Sequence, residues 1–320
     1  MNLLLTNFLQ ILPNILIIIA STIVALFLIT FIITLIIFKN AFGRGKGSMA
    51  EDNELYKDYI AEMKEGGEYF LSLNPEHIYI NSFDNLKLHA LFYEHPNSKG
   101  TIILMHGYHG EGICDFGPVF KPFIEKGYSI LLPDQRAHGK SEGKYLTFGI
   151  FESEDCLAWA RLIAQKFPNR PISLHGVSMG GATVCMTSNL QLPSEVKLIV
   201  DDCGYTSPYA IISSVRKSMK LPRFPFQLYV GILTKVFAKF SLKQKDSTVC
   251  VSECKLPQLF IHGGSDRLIP VEMGKQIYNS SSAIDKRIAI EESADHALAY
   301  MKNKEKISVD IDYFYDKYMV

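Results

Sequence analysis

Ser178, Asp266 and His296 supply a hydroxyl, a carboxylate and an imidazole, the groups needed to carry an acyl group on a serine. Ser178 lies in Gly176-Val177-Ser178-Met179-Gly180, with Gly181 directly behind, between a short apolar run at 172–174 and a stretch able to start a helix. A serine hydroxyl attacks a carbonyl well only when it stands clear of the sheet, beside a base, with N–H groups aimed at the oxygen that becomes negative. A strand that turns sharply into a helix meets those demands. The turn strains the serine backbone, so glycines two residues to either side keep neighbouring side chains out of the way. Gly181 lets the helix approach the sheet. The Met179 N–H, first in that helix, points at the oxyanion position with the positive end of the helix dipole behind it.

The order serine, acid, histidine is the order expected when the three groups sit on one strand–helix topology. Asp266 follows His262-Gly263-Gly264-Ser265 after a late strand, and His296 follows Asp295 after the last one. His296 would take the proton from Ser178 and return it to the leaving group, while Asp266 fixes its tautomer and stabilises the imidazolium. Asp202, ending the strand after the nucleophile helix, is the rival acid. Asp266 is preferred because Gly263 and Gly264 allow its loop to bend inward, and Asp295 is too close in sequence to face the same ring. The second oxyanion donor is expected from His106-Gly107-Tyr108-His109-Gly110, at the Tyr108 N–H. In that loop His106 is expected to make loop hydrogen bonds and His109 to line a pocket. Asp134, Arg136 and Ser141, in the polar stretch 134–143, are expected to tie loops together, with no metal role for His138.

These residues need a sheet to position them. Residues 77–81 and 87–94 read as an opening hairpin turning at Asp84-Asn85. Continuous apolar runs at 101–106, 129–133, 172–175, 198–201, 258–262 and 287–290 read as strands buried on both faces of a parallel sheet. Helical patterns occupy 119–126, 151–166, 181–190, 271–279 and a final segment from about 296. The expected fold class is α/β: a mostly parallel eight-stranded sheet with helices on both faces. The connection from about 205 to 255 is too long for a simple crossover and too apolar for disorder, so it reads as a helical cap over the site, with a helix at 226–240.

Charge excludes some partners. Lys plus Arg equals Asp plus Glu at 33 each, which gives no reason to expect nucleic acid. Residues 11–38 carry no charge and are dominated by Ile, Leu, Val and Phe. A bilayer crossing takes about 20 residues, so this stretch reads as an uncleaved N-terminal transmembrane helix. A signal peptide would need a basic start and a shorter apolar run. The first basic residues, Lys39, Arg44 and Lys46, follow the anchor, which places the globular part in the cytoplasm. The units expected are an anchor at 1–42, a linker and juxtamembrane helix at 43–76, and a domain at 77–320. Within the second, the glycines at 43–47 read as a flexible linker. Ser48 and Glu51 read as a capping box opening a helix that carries Leu55, Tyr59, Ile60 and Met63 on one face and stops at Gly66-Gly67. Six scattered cysteines show no disulfide spacing and read as small apolar groups; Cys250 and Cys254 are not expected to hold a metal.

The chain resembles the α/β-hydrolase superfamily, and within it membrane-anchored bacterial serine hydrolases similar to BEM46-like and prolyl-oligopeptidase-like groups. The resemblance rests on His106-Gly107-Tyr108, the 134–143 loop, Gly176 to Gly181, the stretch 262–270 and His296. It implies a triad of Ser178, Asp266 and His296, an oxyanion hole of the Tyr108 and Met179 N–H groups, and no cofactor or metal. The expected activity is hydrolysis of a carboxylic ester, acyl or lipid-like, with a peptidase or an acyl-protein thioesterase as the alternative and a non-catalytic scaffold last. Oligomeric state is open.

Overall fold

The computed structural model describes residues 2–45, 47 and 54–320. The expected strands form one sheet: β1 (Glu76–Asn81), β2 (Lys87–Tyr93), β3 (Gly100–Met105), β4 (Tyr128–Pro133), β5 (Ile172–Val177), β6 (Val196–Asp202), β7 (Gln258–Gly263) and β8 (Lys286–Glu291). Their order is β1-β2-β4-β3-β5-β6-β7-β8. Only β2 runs against the rest, paired antiparallel with β1 and β4. Every residue of β3, β4, β5 and β7 is buried, which is why these segments read as unbroken apolar runs.

The helices are α1 (Asn2–Phe42), α2 (Ile60–Ser72), α3 (Gly112–Asp115), α4 (Gly117–Glu125), α5 (Ile150–Lys166), α6 (Met179–Thr187), α7 (Pro208–Ser218), α8 (Phe226–Leu233), α9 (Ser247–Ser252), α10 (Val271–Ser280), α11 (Ala299–Lys302) and α12 (Lys304–Tyr318). Alternation along the strands separates two cores. Ile102, Leu104, Val200 and Ile261 pack with Phe70, Phe120 and Phe314 from α2, α4 and α12. Ile103, Met105, Leu131 and Ile199 pack with Trp159, Ile163 and Val184 from α5 and α6 on the opposite face. The sheet therefore lies between two helical layers, as expected. The last helical segment starts a few residues later than expected, at Ala299, leaving His296 in a loop.

Two expectations about the segment before the sheet are corrected. Gly66 and Gly67 do not end a helix; they lie inside α2, which runs on to Ser72. They serve as the contact surface instead, because a Cβ on Gly66 would stand 1.9 Å from the Gly117 carbonyl oxygen and one on Gly67 2.5 Å from Ile113 Cγ2. The close crossing of α2 over α3 and α4 recovers in packing what the two glycines cost in helix propensity. Nor is the glycine-rich stretch after α1 a free linker. Gly43 bridges to Tyr145, the Gly45 N–H donates to the Ala137 carbonyl at 2.9 Å, and the Arg44 guanidinium donates to the Ser141 and Gly139 carbonyls. Its glycines permit this docking, since a Cβ on Gly45 would meet His138 Cδ2 at 2.7 Å. The Ser48–Glu51 capping box lies outside the described residues.

α1 contains one stretch, Ile11–Phe42, long and apolar enough to cross a membrane. Its final turns do not project freely. Phe38 and Phe42 are buried in a cluster with Phe148 and with Phe226, Val230 and Leu233 of α8. The long connection forms the expected helical cap from α7, α8 and α9, and a turn of π-helix at Thr234–Ala238 takes the place of a continuous helix to 240.

Candidate active site

The elbow after β5 places Ser178 at φ 57° and ψ −115°, a strained conformation costing about 1–3 kcal/mol. Close packing enforces it. A Cβ on Gly176 would lie 2.1 Å from the Gly180 oxygen, and one on Gly180 1.8 Å from the Met105 oxygen. The Ser178 N–H donates to the Asp202 carbonyl at 2.8 Å, pinning the turn to the end of β6. Gly181 presses α6 onto the same strand end, where an added Cβ would meet Asp201 Oδ1 at 2.3 Å.

Asp266 and His296 reach this point from the loops after β7 and β8. His296 Nδ1 donates to Asp266 Oδ2 at 2.7 Å, so its Nε2 is the acceptor for the Ser178 hydroxyl at 2.8 Å. Gly263 and Gly264 let the two loops touch, since a Cβ on either would come within 2.6 Å of the 292–295 backbone. Asp266 Oδ1 accepts the Leu268 and Ile269 N–H groups at 2.9 and 2.7 Å. Burial opposes ionisation of Asp266, but hydrogen bonds from His262 and His296, with the His296 charge and the Ile269 N–H, outweigh it and hold the carboxyl well below its usual range. His262 is a second imidazole on this carboxylate, 3.5 Å away, that donates to the Ile269 carbonyl; sequence reasoning had placed it only in a motif.

The rival acids are occupied elsewhere. Asp295 accepts the backbone N–H groups of Arg267 and His296 and pairs with the Arg267 guanidinium. Asp202 makes no hydrogen bond to His296, and its buried Oδ1 has no partner. Burial first, then the neighbouring Asp201 charge, push its pKa up to about 7, against the pull of His262 and His296. The folded protein thus holds a proton on Asp202 that an unfolded chain releases above about pH 4. By linkage this contribution is lost as pH rises from there through about 7. Asp202→Asn is therefore expected to gain melting temperature relative to wild type between pH 5 and pH 8. Equal differences at the two pH values would show that Asp202 is ionised throughout.

The loop after β3 lies against Ser178, with a Cβ on Gly107 falling 3.5 Å from Ser178 Cβ. Its shape is held by side chains. Asp115 Oδ2 accepts the Gly107 N–H at 2.8 Å, and His106 takes the Gln135 N–H on Nε2 while Nδ1 donates to the Gly107 carbonyl. His109 stacks on the Tyr108 ring at 4.1 Å and contacts the Gly43 carbonyl through Nε2. In the 134–143 loop, Arg136 binds Asp155 and Asp84, Asp134 accepts from His89 and the Lys140 N–H, and Ser141 donates to the Asp134 carbonyl. His138 bonds the Arg136 carbonyl and the His109 N–H, and burial lowers its pKa to about 3.

Two cavities meet at Ser178. One, of about 430 Å³, also holds His296, Asp115, Asp295, Arg267 and Tyr56. The other, of about 220 Å³, is walled almost wholly by apolar side chains from α1, α7 and α8, with Tyr108, Phe148 and Tyr205. The buried Tyr205 hydroxyl there has no hydrogen-bond partner. A larger cavity of about 750 Å³, beside His77, His89 and Asp134, lies away from Ser178. The contribution of Tyr56 and of α1 was not legible in sequence. Phe38, Ala41 and Phe42 share a helical face, but nothing local says what that face covers. Cys203, Asp266 and His296 offer donor atoms within 4.8 Å of one another. Both ring nitrogens of His296 are already engaged, and burial raises the Cys203 thiol pKa, so hydrogen bonding explains this cluster without a metal. All six cysteines are buried.

Residues 96–254 match the family described as serine aminopeptidase, S33. The chain is 25% identical to the Bacillus subtilis protein YqkD over 236 residues, 73% of this chain and 76% of that one. It is 22% identical to the rat monoglyceride lipase, over 62% of this chain and 76% of that one. Among solved structures, the Pyrococcus furiosus esterase Pf2001 superposes with a TM-score of 0.63 at 24% identity, over 78% of this chain and 95% of the esterase. With this sheet order, the elbow after β5 and these similarities, the chain has the α/β-hydrolase fold.

Proposed function

We propose that this chain is a membrane-anchored serine hydrolase that cleaves carboxylic esters through an acyl-enzyme, with its globular part on the cytoplasmic side. The observation that carries the reading is the hydrogen-bonded series Asp266, His296, Ser178, at 2.7 and 2.8 Å, on a strained strand-to-helix turn. Ser178 Oγ attacks the ester carbonyl as its proton passes to His296 Nε2, and the Tyr108 and Met179 N–H groups receive the negative oxygen. His296 then protonates the departing alcohol. Water, deprotonated by the same nitrogen, releases the acid. Loss of one oxyanion donor in such a site costs about 2.7–4 kcal/mol of barrier.

The two cavities favour an ester over a peptide. The narrower, apolar one suits an acyl chain, and the wider one, where Asp115, Arg267 and Asp295 stand among apolar neighbours such as Leu55 and Met63, has room for the alcohol. A peptidase is the second reading, favoured by the description of the family matched at 96–254. Purified full-length protein assayed on p-nitrophenyl esters, acyl thioesters and short peptides separates them. Esters are expected to give the highest kcat/KM, and peptides turned over faster than every ester would transfer the assignment to the second reading.

A further inference from the structure

α8 packs lengthwise on α1. Phe224 and Phe27 meet edge-on at 5.8 Å, Tyr229 and Phe31 at 5.2 Å, and the Tyr229 hydroxyl donates to the Phe27 carbonyl at 3.3 Å. Depth follows from counting. After Gln10, Pro13 and Asn14, the chain is apolar from Ile15 onward but for Ser and Thr, and the hydroxyls of Thr22, Thr30 and Thr34 bond back to the helix's own carbonyls. A crossing of about 20 residues that starts at Ile15 ends near Thr34. Phe27 and Phe31 then lie within the leaflet nearest the globular domain, and α8 lies there beside them.

The outer surface of the cap fits that depth. Phe224 is 63% exposed, Leu228 52%, Ile232 44% and Val236 52%, a contiguous apolar face that water would penalise and acyl chains would not. Charge agrees with it. From 205 to 245 the cap carries Arg216, Lys217, Lys220, Arg223, Lys235, Lys239, Lys243 and Lys245 and no acid. An apolar face with a basic surround is the pattern of an element seated among lipid headgroups.

The apolar cavity at Ser178 runs into this region between Phe38, Ala41 and Phe42 of α1 and Val215, Phe226 and Val230 of the cap. We propose that the anchor and the cap together form an acyl-chain site that opens toward the leaflet nearest the globular domain, at the end of the crossing, through which a lipid ester of the same bilayer reaches Ser178 from the membrane side. This rests on the ester-hydrolase reading and adds the substrate class and its route. In the reaction the Ser178 Oγ–acyl bond forms as the acyl–alcohol C–O bond breaks, the serine proton leaves with the alcohol, and water then frees the fatty acid. The anchor is on this account part of the substrate site as well as a tether.

Two measurements on the full chain in phosphatidylcholine nanodiscs test it. Trp159 is the only tryptophan and is buried, so an introduced indole reports its own surroundings. Leu228→Trp is expected to be quenched by lipids brominated on the acyl chain to the same degree as Ile23→Trp in the anchor, and Val309→Trp on α12 is not. This readout needs no activity. In the second, Ala41→Trp from the anchor wall and Val215→Trp from the cap wall are each expected to lower kcat/KM for p-nitrophenyl dodecanoate at least about tenfold more than for p-nitrophenyl acetate. Ile36→Trp, on the outer face of α1, lowers neither. Unquenched Leu228→Trp, or both wall variants affecting the two esters in parallel, overturns the leaflet site while leaving the hydrolase reading intact. Failure of the wild type on every ester overturns the hydrolase reading, whatever the quenching.

Discussion

Ser178→Ala is expected to lower kcat for ester hydrolysis by about 10⁶-fold, because the nucleophile, base and orienting acid act as one unit. The variant loses a single oxygen. Its backbone remains held by the Gly176, Gly180 and Gly181 contacts and by the bond to the Asp202 carbonyl, so the melting temperature should stay close to wild type. A residual acceleration of about 10³–10⁴ over water is expected from the oxyanion donors and binding alone. Fluorophosphonate labelling of the wild type, absent in the variant, checks the assignment independently of substrate choice. Ester turnover in Ser178→Ala near the wild-type rate would falsify it.

Asp266→Asn should cost about 10⁴ in kcat with little change in KM. An amide in place of the carboxylate can donate to His296 Nδ1, which moves the ring proton to Nε2 and blocks acceptance from Ser178. Asp202→Asn provides the contrast, since its carboxyl makes no bond to the imidazole, and it should retain most activity. The acid limb of stability carries a second signature. Asp266 has a depressed pKa in the folded state, so its contribution is present above the unfolded value of about 4 and is lost as pH falls below it. Asp266→Asn should therefore flatten the loss of melting temperature on acidification. If instead Asp202→Asn removes activity and Asp266→Asn keeps it, the orienting acid is on β6.

Much of this was legible because the signals are local. The unbroken apolar runs at β3, β4, β5 and β7 could only be strands covered on both faces, and the turn chemistry at Asp84-Asn85 marked the hairpin, where Asn85 adopts φ 64°. Glycine spacing around Ser178 was informative because each glycine answers a steric demand within a few residues. The same residue misled at Gly66-Gly67 and at Gly43–Gly45. There the demand comes from partners far along the chain, Gly117, Ile113 and His138, and a glycine placed for a close approach looks locally like a helix stop or a flexible tether.

The order of a serine, an acid and a histidine, the mostly parallel sheet and the apolar stretch ahead of it follow from residue types and spacing, since backbone sterics and burial impose those patterns within short windows. Which acid faces the imidazole, what the last turns of α1 cover and where an apolar cavity opens beside Ser178 were decided by packing between segments about two hundred residues apart, such as Phe27 with Phe224 and Tyr229. An apolar side chain shows in sequence that it will be buried. Its partner is chosen only when the chain folds, because the hydrophobic effect has no direction and shape supplies the rest.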